Sequence, residues 1–232
     1  MSRLYFPGRR VAVICTVLTC IVCIPTAFAD DKELQALFNG RDFTGWQFEF
    51  QKLKKDAGKP PPRPEDTWSV KDGVIYCTGH PNGYIHTEKT YKNYVIRYDW
   101  QFARPADLKD DNTFMGNSGC LVHIHPPQKV WPHCVEVQGK NIDHGELLPI
   151  PRKMVATVHY DRAARNSAVR PVGEWNTTEI TCTADGSITA MINGTKVSWG
   201  KSELTDGQIG LQSEGAEIHF RNIFLKQLPE AK

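Results

Sequence analysis

Little in this sequence advertises a charged partner. Across 232 residues, 28 basic and 26 acidic side chains leave a formal charge of only +2. Three of the basic ones, Arg3, Arg9 and Arg10, precede residue 30, where no acid stands, so the remainder carries 25 basic and 26 acidic groups. Such a balance gives no electrostatic reason to expect nucleic acid or an anionic membrane surface as partner. Past residue 24 no apolar run approaches the ~20 residues that cross a bilayer as a helix. Phosphate-cradling glycine loops, a G-x-S-x-G elbow and Cys/His zinc spacings are missing, and past residue 24 so are C-x-x-C pairs. So is any internal repeat at solenoid spacing. A sustained 3.6-residue apolar stripe is absent too, apart from a weak one over Arg152–Arg165. What remains is ordinary globular material, 40% hydrophobic and 10% aromatic, long enough to bury a sizeable core without metal or disulfide staples.

The excess of N-terminal positive charge has its own explanation. Arg9-Arg10 leads into the apolar run Val11–Ile24, then Pro25 and Ala27-Phe28-Ala29 ahead of Asp30-Asp31. A basic n-region, an apolar h-region and an A-x-A site predict a signal peptide over residues 1–29, cleaved after Ala29; the rival is an uncleaved anchor, against which Pro25 and the A-x-A site speak. The mature chain is then secreted or periplasmic, with no membrane attachment once the leader is gone. Four cysteines stay with it: Cys77, Cys120, Cys134 and Cys182. An oxidising compartment permits disulfides, and four cysteines allow three pairings that sequence leaves open, beside buried free thiols.

Turn chemistry dominates the rest. Asp72-Gly73, Asp185-Gly186, Asn193-Gly194 and Asp206-Gly207 each stand between short apolar runs, as two-residue hairpins require. Period-2 alternation marks Tyr94–Phe102, Cys120–His125, His133–Gln138, Thr178–Thr183, Ser187–Ile192 and Gln208–Gln212. A bulge is expected near Arg221-Asn222 in the strand over Glu217–Leu228. Many short strands with close hairpin signals predict an all-β fold: an antiparallel β-sandwich of the jelly-roll kind. One domain is expected over 30–232, its core about 34–228. The Pro-rich stretch Lys52–Asp66 reads as a solvated loop, neither strand nor helix.

The polar faces of the middle strands hold the candidate chemistry. His123 and His125 alternate with apolar residues on one strand, Glu136 and Gln138 on the next. If these strands pair across the loop Pro126–Pro132, two imidazoles and a carboxylate share a sheet face. That patch suits sugar-hydroxyl recognition or proton transfer, beside the plainer reading of a solvated face. The His spacing also occurs in metal sites, but no third ligand stands at a diagnostic distance. Trp131, in the intervening loop, either stacks on a sugar ring or caps the core. Asn117-Ser118-Gly119 reads as a turn.

The ordered set of motifs resembles a known family. Leu37-Phe38-Asn39-Gly40-Arg41-Asp42 through Gly45-Trp46, then Trp68-Ser69-Val70-Lys71-Asp72-Gly73, Asn117-Ser118-Gly119 and Glu136-Val137-Gln138 are similar to the 3-keto-disaccharide hydrolase domain. Gly173-Glu174-Trp175-Asn176, Gly207–Gln212 and Phe220-Arg221-Asn222-Ile223 continue the match. The resemblance implies a concanavalin A-like jelly roll, exported by bacteria, that cleaves the glycosidic bond of 3-keto-disaccharides or 3-keto-glycosides. A non-catalytic, lectin-like sugar-binding module on the same scaffold is the alternative. On the enzymatic reading Glu136 or His123 is the base, while His125, Asn117, Gln138, Asp143 and Trp131 hold the sugar. Members often carry Arg where this chain has His123. A small carbohydrate is the expected partner; no organic cofactor is called for, and a structural calcium ion stays open.

Overall fold

The alternating segments and turn pairs become strands of two antiparallel sheets, the all-β sandwich expected. The computed structural model describes residues 34–52, 58, 60, 62–154 and 156–230. The predicted leader over 1–29 lies outside them, as does part of the Lys52–Asp66 stretch.

In spatial order the first sheet carries β11 (Ala156–Tyr160), β14 (Thr195–Ser202), β13 (Ser187–Ile192), β12 (Asn176–Cys182), β7 (Tyr94–Phe102), β16 (Ile218–Gln227), β4 (Val74–Cys77) and β3 (Trp68–Lys71). The short β1 (Gln35–Ala36) also pairs with β16. The second sheet runs β10 (Leu147–Ile150), β9 (His133–Gln138), β8 (Gly119–His125), β15 (Asp206–Ser213), β5 (Gly83–Thr87) and β2 (Trp46–Phe50), with β6 (Tyr91–Lys92) against β15.

Local sequence explains the turns. Asp72-Gly73 (φ 52° and 78°) joins β3 to β4, and Asn193-Gly194 (φ 49° and 83°) joins β13 to β14. Both adopt the left-handed pair that matches strand twist. Asp206-Gly207 does not turn; it opens β15. There Gly207 (φ 145°) lies against the β8 backbone, where a Cβ would fall 2.5 Å from the carbonyl carbon of His123. The bulge expected near Arg221-Asn222 is present, as a register shift between Arg221 and Phe224.

On β7 the side chains of Tyr94, Ile96, Tyr98, Trp100 and Phe102 are all buried, and Arg97, Asp99 and Gln101 face outward. The inner set packs with Ile180 and Phe220 of its own sheet and Cys120, Val122, Val137 and Leu211 of the other. A smaller cluster of Tyr84, Leu121, Ile124 and Cys134 lies apart from this core. These four belong to the outer face of the second sheet, where Ile150 packs against them and Gln128 of the loop 126–132 reaches Tyr84. Tyr84 Oη donates to Gln128 Oε1 at 3.2 Å, and Gln128 Nε2 in turn donates to Gln208 Oε1.

Two expectations need correction. The stretch read as pure loop contains a helical turn, α1 (Pro64–Thr67), which Pro64 starts with its preset φ and dispensable N–H. Within the weakly striped Arg152–Arg165, β11 comes first and then α2 (Arg162–Ala168), where Asp161 accepts from the Ala164 N–H at 2.9 Å.

All four cysteines are free and buried, and burial raises each thiol above its ordinary pKa. Adding a reductant is therefore expected to leave Tm unchanged, with thiols reacting with a disulfide reagent only after unfolding. A Tm drop on reduction would contradict this.

Candidate functional site

Register brings the site together on the outer face of the second sheet. Glu136, on β9, pairs with Leu121 of β8 on one side and Leu148 of β10 on the other. Between apolar neighbours the residue is only 4% exposed, and its buried Oε1 makes no hydrogen bond. Gly119 explains how it fits. A Cβ there would lie 2.8 Å from Glu136 Oε1 and 3.2 Å from Gln212 Oε1, so the glycine keeps space open between two polar side chains. The Gln212 amide is also buried, and neither its nitrogen nor its oxygen has a partner. Buried polar groups ordinarily find partners; three orphaned atoms around one glycine mark a place prepared for something else.

Beside them opens a hollow of about 270 Å³. Glu136, Gln138, Leu148 and Ile150 form one wall, while Asn117, Glu214, Arg152 and Trp131 complete it. Asn117 and Glu214 are held side by side by isolated bridges between their segments. The Asn117 side-chain oxygen accepts from the Ser118 N–H at 3.0 Å and that of Gln138 from the Lys140 N–H at 2.8 Å. Their amide NH2 ends are thus the groups offered to a ligand. Trp131, 40% exposed, also borders a second hollow of about 400 Å³ with Glu49, Phe50 and Lys129.

Electrostatics set this hollow apart. Burial pushes the Glu136 carboxyl up to about 8, assisted by the negative Glu214 and opposed by Arg152. Glu214 rises to about 7, again through burial. Between those two values the pair holds about one proton, the state in which carboxyls serve as acid and base.

Of the residues singled out from sequence, Glu136, Gln138, Asn117 and Trp131 line this hollow together. The two histidines do not join them. A one-residue bulge between Val122 and His125 reverses the alternation. His123 takes φ 57° and points into the sandwich, fully buried with its ring edge-on to Tyr94 at 5.8 Å. Neither ring nitrogen has a hydrogen-bond partner, and burial lowers its pKa to about 4. Ile124 takes the outward place instead. His125, at the strand end, bonds through Nε2 to the Asp206 carbonyl oxygen at 2.8 Å. Asp143, in the loop beyond β9, is engaged by Arg162 at 2.7 Å and does not border the hollow. Sequence reasoning missed Gln212, Glu214 and Arg152. Period 2 continued past Gln208–Gln212 would have found Glu214; Arg152 follows β10 and carries no motif. Among the described residues, no three His, Cys, Asp or Glu side chains converge to hold a metal ion.

The model of the 3-keto-alpha-glucoside-1,2-lyase-like domain matches residues 33–226. The chain belongs to this family. A solved structure of a provisionally assigned glycosyl hydrolase from Parabacteroides distasonis is 24% identical, with a TM-score of 0.60 over 88% of this chain and 99% of that one. The carbohydrate-binding module CBM66 from Bacillus subtilis is 11% identical, with TM-score 0.50 and coverage of 81% and 98%. The lumenal domain of VIP36, solved with calcium and a mannose disaccharide, is 10% identical, with TM-score 0.52 and coverage of 81% and 83%. At these identities the likenesses establish the lectin-like sandwich. No curated protein matches the chain.

Proposed function

We propose that this family member is an exported enzyme that cleaves the glycosidic bond of 3-keto-glycosides. The observation that carries the reading is Glu136: a residue 4% exposed, its carboxyl raised to about 8, with an unpartnered oxygen beside a hollow walled by Trp131, Arg152 and two amides. A C3 ketone acidifies the C2 proton, so a carboxylate suffices to remove it. The resulting enolate expels the C1 substituent, and water then adds back. Such chemistry asks for donors near the enolate oxygen and one group that carries a proton to or from the sugar. Arg152, Asn117 and Gln138 supply donors around the same hollow as Glu136. Trp131, which borders both hollows, supplies an aromatic surface for the sugar, and the larger hollow beyond it has room for the leaving group.

An ordinary glycosidase also uses two carboxyls, but on unoxidised sugars through an oxocarbenium-like transition state. The test therefore offers the purified protein a 3-keto-disaccharide and its unoxidised parent side by side. Monosaccharide release from the keto form alone is the expected result. Release from both would indicate conventional hydrolysis, and tight binding without release would indicate a sugar-binding module; either overturns the proposal.

A further inference from the structure

We propose that the two carboxyls divide the work: Glu214 takes the C2 proton, and the protonated Glu136 carboxyl delivers one to the departing glycosidic oxygen. This rests on the 3-keto-glycoside reading and adds to it a residue with no place in the motifs.

Geometry supports the division. Both side chains border the same hollow. Glu136 is the deeper, flanked by Leu121 and Leu148 in register and almost wholly buried. Glu214 follows the end of β15, where it is only partly buried. A charge is costlier at the deeper position, and a second charge beside an ionised Glu214 costlier still. The one proton the pair holds thus resides chiefly on Glu136, in keeping with their order of ionisation. Arg152 is the remaining charged group on the hollow; its attraction to Glu136 reduces the difference without reversing it. Partial exposure also lets Glu214 exchange its proton with water, which deuterium uptake at C2 requires.

The steps balance. The C2–H bond breaks, its proton passing to a Glu214 oxygen and its electron pair to the C3 carbonyl as an enolate. The carbonyl re-forms, the C1–C2 double bond closes, and the C1–O bond breaks as its oxygen takes the Glu136 proton. Water then retraces the path: Glu136, now ionised, takes a proton from the water that adds at C1, and Glu214 returns its proton to C2. Both carboxyls end as they began, and the net reaction consumes one water.

The two roles separate on a substrate with nothing to expel. The 3-keto form of 1,5-anhydroglucitol carries hydrogen at C1, so in deuterium oxide only the base step, exchange at C2, is open to it. Glu214→Gln is expected to slow exchange by about 10²–10⁴-fold, the usual worth of a positioned proton-transfer group, while Glu136→Gln keeps it within a few-fold. With a 3-keto nitrophenyl glycoside, whose phenolate departs unprotonated, Glu136→Gln is expected to regain most of the release and Glu214→Gln none. Retained Tm shows that each isosteric variant is folded. Exchange lost in Glu136→Gln, kept in Glu214→Gln, or absent from a wild type that still cleaves overturns the assignment. A wild type that neither exchanges nor cleaves overturns the reading on which it rests.

Discussion

Replacing Glu136 by Gln is expected to cut sugar release from a 3-keto-disaccharide by about 10²–10⁴-fold, because an amide neither gives nor takes the proton. The same change is expected to stabilise the fold at alkaline pH. In the folded chain Glu136 ionises near 8, against an unfolded value near 4.3. Below the lower value both states hold the proton and the group is neutral to stability. As pH rises through the interval the unfolded chain releases its proton first, so folding is penalised until the folded carboxyl also ionises. Discounted for relaxation around the charge, that penalty is roughly 2–4 kcal/mol by pH 8. Gln escapes it. Denaturation midpoints at pH 5 and pH 8 should therefore diverge in favour of the variant at the higher pH, while turnover collapses. Turnover within about threefold of wild type would remove Glu136 from the chemistry.

Stability and activity pull against each other at this one position, and the pattern of residues shows why only part of it could be read beforehand. The strands announced themselves because β7 and β12 alternate without interruption, and Asp72-Gly73 and Asn193-Gly194 turn as their φ preferences dictate. The association of Asn117-Ser118-Gly119 with Glu136-Val137-Gln138 was also visible as two motifs. Its cause, the missing Cβ of Gly119 above the carboxyl, appears only when Gly119 is seen beside Gln138 in register. Alternation failed at His123 because a bulge adds a residue to one strand and flips every later side chain. Nothing in Val122-His123-Ile124 marks it; the counterpart is Gly207, 84 residues beyond His123 in a dipeptide that looks like a turn. Arg152 and Glu214 reach the hollow from segments just outside β10 and β15, where periodicity has ended.

That misplaced imidazole yields the second large effect. His123→Leu is expected to leave sugar release at neutral pH unchanged, since the ring sits among core residues on the far side of β8 from Glu136. Its consequence is for acid stability. An ordinary histidine ionises near 6.5, while His123 in the folded chain does so near 4, held down by burial. Above the unfolded value both states are neutral and the imidazole contributes nothing. As pH falls below it, the unfolded chain gains a proton that the folded chain refuses, and stability drains away until the folded value is reached. By about pH 4.5 this amounts to roughly 2 kcal/mol from His123 alone. His144, stacked on Trp100 at 3.8 Å and lowered to about 3, acts in the same direction. Glu136 and Glu214 act in the opposite one, because their folded values lie above the unfolded ones. The wild-type curve between pH 4.5 and 6.5 is consequently flattened by opposing terms and reveals neither. A difference between variant and wild type cancels His144 and both carboxyls, leaving His123 by itself. Histidine and leucine both pay for the left-handed backbone at this position, so that cost largely cancels in the difference. The variant should thus gain on wild type by roughly 2 kcal/mol between pH 8 and pH 4.5, read from urea midpoints at each pH. A difference that stays constant with pH would mean that His123 takes up its proton in the folded chain as readily as in water, which a ring sealed against Tyr94 without a hydrogen-bond partner cannot do.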